Sequence, residues 1–338
     1  MPRILLIQLK RIGDLVLTAP AVAALRAGLP EAEIVMVTPR NVAELASNIV
    51  GVDRVIAYHA SRVNLETWAS AIMGPWDACL DFTGTDRSAL LTKFTSAGQR
   101  IGYAKFAGPG LRKFAYSQLC DASVRDLHTV DFHLALVREL GLPAPDPAQP
   151  SPPLRIPPEI ERLAQEKLQH SGITGPYAIV HPGTAREEKF WDDARWAEVI
   201  RQVQHQRGLP VVLTGSGDGL EHPHLQAIRA GVNGTPVADL TGRLSLLELA
   251  ALLAEAQIVL GVDSMAMHIT ALFQRPQIAL FGPTNPFHWQ PRHSRGYVLT
   301  PHDTAPRQVF QPKEQKGAMS DISTESVMRA MDLALRPQ

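Results

Sequence analysis

Cysteine is nearly absent from this chain of 338 residues. Cys79 and Cys120 are too few for a disulfide framework, and no metal-ligand spacing surrounds them. Both are expected as buried thiols in a reducing compartment. An excess of one charge is missing too: Lys+Arg and Asp+Glu each number 33. The chain as a whole therefore offers nothing to a polyanion, and nucleic acid is not an expected partner. No apolar run nears the ~20 residues that a membrane-spanning helix needs. The run at 3–9 (RILLIQL) is too short for a signal sequence with its cleavage site, and Lys10 and Arg11 close it. It reads as a buried strand, and the cytoplasm is the expected location. That strand is not followed by Gly-x-Gly-x-x-Gly but by Lys10-Arg11-Ile12-Gly13-Asp14, so dinucleotide binding of the usual kind loses support.

What is present is an ordinary globular composition, 45% hydrophobic and 20% charged, in a chain long enough for two domains. Strands are expected at 3–9, 33–38, 54–57 and 76–82, with helices at 19–29, 42–49, 86–96 and 128–140. Between Pro143 and Pro158 there are 8 prolines in 16 residues. Proline fixes φ and lacks an N–H, so this stretch reads as a stiff linker. The alternation then restarts, with strands at 177–181, 210–214, 257–262 and 277–281 and helices at 192–205, 221–230, 245–254 and 265–273. The fold class is α/β: two Rossmann-like, doubly wound domains, 1–158 and 159–320, facing a central cleft. Ligands are expected outside the carboxyl ends of the strands. The amphipathic segment 321–338 is expected as a helix that packs back on the first domain. No internal repeat stands out.

Four turns at expected strand ends carry polar or small residues. Asp14, beside Gly13, has two readings: a helix cap, or a general base at the sheet edge. After strand 177–181, Gly183 and Thr184 form a small-residue turn with Lys189 close behind, a pattern that suits phosphate. After strand 257–262 comes Asp263-Ser264-Met265-Ala266-Met267-His268, where free helix N–H groups would face an anion. The fourth turn, 281–286 (FGPTNP), follows strand 277–281.

Together these motifs resemble glycosyltransferase family 9, the ADP-heptose:lipopolysaccharide heptosyltransferases. The likeness runs from Ile4 to about Pro286. It includes Gly13, Asp14 and Pro20; Asp81, Gly84, Arg87 and Ser88; and His128, Val130 and Asp131. In the second half it includes His181 to Trp191; Leu240, Gly242 and Leu246; the Asp263–His268 element; and the 281–286 loop. The resemblance implies a GT-B fold and a metal-free, inverting transfer of heptose from ADP-heptose to a lipopolysaccharide inner-core acceptor. The absence of any Asp-x-Asp pair agrees with the lack of a metal. It also implies roles: Asp14 as the base, and Lys189 with Gly183 and Thr184 at the leaving diphosphate. Glu221 would hold the ribose, and Asp263, Ser264, Met265 and His268 would form the donor loop. Met265 departs from the family, which has glycine there, so a side chain stands where backbone should approach the ligand. No cofactor is expected beyond the nucleotide-sugar donor. The rival readings are a UDP-sugar transferase or epimerase of the same fold and a catalytically silent sugar-nucleotide-binding protein of the cell envelope.

From Arg87 to Lys113 there are six basic residues and no acid, interspersed with aromatics. This run is either a solvated face or the surface that meets an anionic glycolipid acceptor carrying Kdo carboxylates and phosphates. On the second reading Arg87, Lys105, Arg112 and Lys113, together with Lys10, Arg11 and Arg62, form the acceptor side. The protein would then touch the inner membrane peripherally from its cytoplasmic face.

Overall fold

The computed structural model describes residues 1–59, 64–108, 110–142, 154–292, 295–301, 303 and 305–336. They form two compact units, Met1–Arg155 and Ile156–Gln338. Most of the expected linker, 143–153, lies outside the described residues, and its last two prolines do not belong to a linker at all. Pro157 and Pro158 open a helix, where a missing N–H costs nothing.

The first unit is one parallel sheet of β1 (Arg3–Ile7), β2 (Glu33–Pro39), β3 (Arg54–Tyr58), β4 (Ala78–Asp81), β5 (Gln99–Tyr103) and β6 (Gln118–Cys120). Their spatial order is β3-β2-β1-β4-β5-β6. β1 is apolar on both faces because helices cover both. The helices of this unit are α1 (Ile12–Gly28), α2 (Ala43–Ser47), α3 (Leu65–Ile72), α4 (Asp86–Phe94), α5 (Ala104–Ala107) and α6 (Thr129–Arg138). Leu5, Ile7, Val35, Val37, Trp76 and Cys79 share one buried cluster, and burial pushes the Cys79 thiol up to about 12.

The second unit repeats the plan with β7 (Ala178–His181), β8 (Val211–Leu213), β9 (Ala238–Asp239), β10 (Ile258–Val262), β11 (Gln277–Leu280) and β12 (Gly296–Leu299), all parallel. Their order is β12-β11-β10-β7-β8-β9. Its helices are α7 (Pro158–His170), α8 (Asp193–Arg207), α9 (Glu221–Gly231), α10 (Leu246–Glu255), α11 (Met265–Leu272), α12 (Pro286–Trp289) and α13 (Thr324–Ala334). Counted from its own first strand, this sheet has the same strand order as the first. In each, the winding reverses beside the first strand, between β1 and β4 and between β7 and β10. Sheets of this type bind ligands outside that reversal.

Three expectations change. Helix α1 starts at Ile12 instead of residue 19, because Gly13 and Asp14 are tolerated in a first turn and Pro20 is carried inside the helix. Strands β5, β6, β9 and β12 were not anticipated. They are short, and β5 and β6 begin with polar residues. The closing helix α13, expected to pack on the first domain, belongs to the second unit: Val327, Met328 and Met331 are buried in its core, beside Trp191, Leu260 and Leu280.

Candidate active site

At the end of β1 the chain turns through Gln8–Arg11 into α1. Arg11 is the N-cap and makes no side-chain cap bond, and Asp14 lies in the first turn with its carboxylate beside the Arg11 amide. Burial raises the Asp14 carboxyl above its ordinary range, and the Lys10 and Arg11 charges pull it partway back. A carboxylate held this way is a better proton acceptor than an exposed one. Beneath it lies a buried polar brace. Thr18 donates to the Asp14 carbonyl at 2.8 Å, Gln8 donates to Thr18 at 2.9 Å, and His133 Nδ1 stands 3.2 Å from the Thr18 hydroxyl. Burial drives the His133 imidazole down to about 3, so it is neutral.

Next to this turn, β4 delivers the buried Asp81. Its carboxylate accepts from the amides of Thr83 at 2.8 Å and Gly84 at 3.1 Å and from the Tyr116 hydroxyl at 2.7 Å. Gly84 has φ +69°, and a Cβ there would sit 2.3 Å from the Phe106 ring. Glycine alone fits. The ammonium of Lys10 lies 5.3 Å and that of Lys105 5.8 Å from the same ring. Arg87 lies over Tyr58 at 5.3 Å. Arg112 donates to the Gly84 carbonyl and pairs with Asp86 at 2.7 Å. The fold thus gathers Lys10, Arg87, Lys105 and Arg112 near the carboxyl ends of the strands, with Arg11 exposed beside them and Lys113 exposed on the adjoining turn. The run is less bare than its sequence implies, because Asp86, one residue before it, offsets Arg112. Arg100 bonds the carbonyls of Ala97 and Ala115 and is structural. Arg62 lies outside the described residues.

In the second unit, residues separated by 74 positions meet. Lys189 Nζ is 2.6 Å from the Asp263 carboxylate and 3.3 Å from its carbonyl, and both side chains are largely buried. Thr284, from the turn after β11, donates to the same carboxylate oxygen at 2.7 Å. His268 lies close enough to feel both charges, and burial brings its imidazole down to about 4. Two polar atoms here, Ser264 Oγ and His268 Nδ1, are buried with no hydrogen-bond partner among the described residues. Met265 is half-buried at the first position of α11. Thr184 is buried in the turn that follows β7.

Glu221 closes the other flank. Its carboxylate accepts from the Ser216 amide at 2.7 Å and hydroxyl at 2.9 Å, and it lies against Gly183, where an added Cβ would fall 2.3 Å from it. That contact explains the glycine. The structure therefore joins Gly183 to Glu221, and Lys189 to Asp263, Ser264 and His268, around the reversal of the second sheet. Asp14, Gly13 and the cations belong to the first. Thr284, Ser216 and the Gln8–Thr18–His133 brace were not anticipated as parts of a site. The glycine-rich turn Gly215-Ser216-Gly217 after β8 was the signal for Ser216. The brace had none, since its members lie far apart in sequence.

A family model described as "Glycosyltransferase family 9 (heptosyltransferase)" matches residues 70–317. The lipopolysaccharide heptosyltransferase 3 of Escherichia coli is 27% identical over 289 residues, 82% of this chain and 83% of that protein. Among solved structures, a family 9 glycosyl transferase from Veillonella parvula superposes with a TM-score of 0.83 at 23% identity, covering 99% of this chain and 97% of its own. The E. coli ADP-heptose lps heptosyltransferase II gives 0.80 at 21% identity, covering 98% of each chain. The fold is GT-B.

Proposed function

Because the chain belongs to glycosyltransferase family 9, the heptosyltransferases, we propose that it moves a heptose from ADP-heptose to a lipopolysaccharide inner-core acceptor. The observation that carries this reading is the Lys189–Asp263 centre with its unpartnered Ser264 and His268 atoms. Buried polar groups are normally satisfied, so orphaned ones beside a half-sequestered cation suit a polar, anionic ligand. The E. coli lipopolysaccharide heptosyltransferase 3, 27% identical, supports reading that ligand as the diphosphate of ADP-heptose.

The transfer is a single displacement. Asp14 takes the proton of an acceptor hydroxyl as that oxygen bonds to the anomeric carbon. The bond from that carbon to the diphosphate oxygen breaks, ADP leaves, and the anomeric configuration inverts. Charge on the departing diphosphate is met by Lys189 and by backbone amides at Gly183, Thr184 and the start of α11. Glu221 holds the ribose hydroxyls. No metal takes part, a reading supported by the lack of an Asp-x-Asp pair. The acceptor is an anionic glycolipid, for which the cations around Lys10, Lys105 and Arg112 are suited, met at the cytoplasmic face of the inner membrane. Among the described residues no helix is long and apolar enough to cross a membrane.

The test is transfer to a Kdo-lipid A acceptor from ADP-heptose, with UDP-sugars in parallel and with EDTA, the product anomer being read by NMR. Transfer from ADP-heptose, unchanged by EDTA and with inverted configuration, is the expected result. Transfer from a UDP-sugar alone, or loss of activity in EDTA, defeats the donor or the metal-free assignment respectively.

A further inference from the structure

The first domain leaves a group of large apolar side chains uncovered. Helix α4 turns Ala89, Leu91 and Thr92 inward and exposes Arg87, Leu90, Lys93 and Phe94. Spacings of three and four residues set Arg87, Leu90 and Phe94 along one face. Leu90 is 40% exposed and Phe94 54%. The turn Leu111–Phe114 packs against α4, tied to its first residue by the Arg112–Asp86 pair, and there Phe114 is 65% exposed. On the opposite flank α3 packs on α4, and Trp68 meets the Phe94 ring edge-on at 6.4 Å. Single exposed apolar residues are ordinary, whereas grouped ones mark a contact surface.

The charges around this group select its partner. Lys93 and Lys113 are exposed beside the phenylalanines that follow them in sequence. The exposed acids of these elements are Asp86, which Arg112 already pairs, and Glu66 on α3. Aromatic and leucine side chains interleaved with cations are the pattern of a surface that lies in a bilayer interface, apolar groups at the headgroup boundary and ammonium groups on the phosphates. We propose that this face of α4 and the adjoining 111–114 turn docks the protein on an anionic lipid bilayer. The docking deepens the acceptor reading above and rests on it for its purpose, since a lipid-linked acceptor is presented at such a surface.

Co-sedimentation of the full chain with vesicles, without donor or acceptor, tests it. Vesicles of phosphatidylglycerol and phosphatidylcholine should retain the protein, and vesicles of phosphatidylcholine alone should not. Binding should weaken with added salt, because the screening length falls from ~10 Å at 0.1 M to ~3 Å at 1 M. The Leu90→Ser/Phe94→Ser/Phe114→Ser variant keeps every cation yet should bind roughly tenfold more weakly. Phe114→Ser alone, checked for an unchanged melting temperature, should move the same way if the triple variant folds poorly. Transfer to a soluble, delipidated acceptor should be equal in variant and parent. Equal vesicle binding by variant and parent overturns the apolar face, and salt-independent binding overturns the role of charge. Absence of vesicle binding, with a dimer in gel filtration that the variant loses, overturns the proposal in favour of a contact between copies. A parent that binds vesicles as stated but transfers no sugar leaves the docking intact and fails the enzymatic reading alone.

Discussion

At the scale of single residues, the two charged groups proposed to act are both held away from water, with opposite consequences for stability. The folded structure raises the Asp14 carboxyl above its ordinary value, chiefly by burial, so ionising it costs folding free energy at neutral pH. Asp14→Asn should therefore lower turnover by roughly 10²–10⁴-fold and leave ADP affinity unchanged, while melting at or above the parent temperature. A cap would behave in the opposite way, losing about 1 kcal/mol with activity intact. The base works deprotonated, so kcat/KM should rise with pH along an acid limb lying above the carboxylate value of 3.8. Lys189 differs, because Asp263 depends on it. Lys189→Ala strands a carboxylate that is 7% exposed, and breaking such a pair from one side costs about 3–5 kcal/mol. Calorimetry should show weaker ADP binding, and thermal unfolding should show a lower melting temperature. Adding Asp263→Ala should recover part of the stability and none of the binding. A single variant as stable as the parent would contradict the pairing.

Elements set these residues in place through contacts that one added atom can break. The turn after β7 lets the Glu221 carboxylate approach because Gly183 has no side chain. Gly183→Ala should displace Glu221 from Ser216 and weaken ADP binding by roughly tenfold, while the melting temperature stays close to the parent's, since the displaced group is the end of a side chain. Calorimetry that finds ADP affinity unchanged would remove Glu221 from the site. The α1–α6 pair is braced by His133, neutral in the folded protein with its value lowered to about 3. The unfolded chain takes up that proton near 6.5, so stability is full above this pH and declines as pH falls towards 3. His268, lowered to about 4, adds the same trend over a narrower window. Denaturant unfolding between pH 7 and 4 should show this slope, and His133→Gln should flatten it. An unaltered slope in that variant would place the acid sensitivity elsewhere.

For the whole molecule, α13 fills the gap over the second sheet with Val327, Met328 and Met331. Arg195 bonds the Ile322 carbonyl at 2.5 Å, and Trp191, two residues beyond Lys189, bonds it at 3.1 Å. Helix α13 is therefore part of the second unit's core. Truncation after Ser323 uncovers this core, and each large side chain lost from it is worth about 2–5 kcal/mol. The second unit should unfold or bind ADP no longer, while the first keeps its own cooperative transition. Calorimetry that shows the second transition intact would mean that α13 is dispensable.

The alternation of strands and helices, the restart after the prolines, and the turns bearing Asp14, Gly183 and Asp263 were all legible in the sequence. They depend on neighbours within a few positions, where hydrophobic period and turn chemistry act. The start of α1 was misplaced, since a first turn tolerates residues that a helix interior does not. Only tertiary structure showed that the two halves share one strand order, because the same topology is built from different apolar residues that leave no repeat. Only it joined Lys189 and Thr284 to Asp263, drew Asp86 onto Arg112, and assigned α13 to the second sheet. Those are pairings across 21 to more than 100 residues, fixed by which strand lies beside which. Burial decided the rest: a sequence names a carboxylate or an imidazole, and the fold sets how much water it keeps, and so its charge.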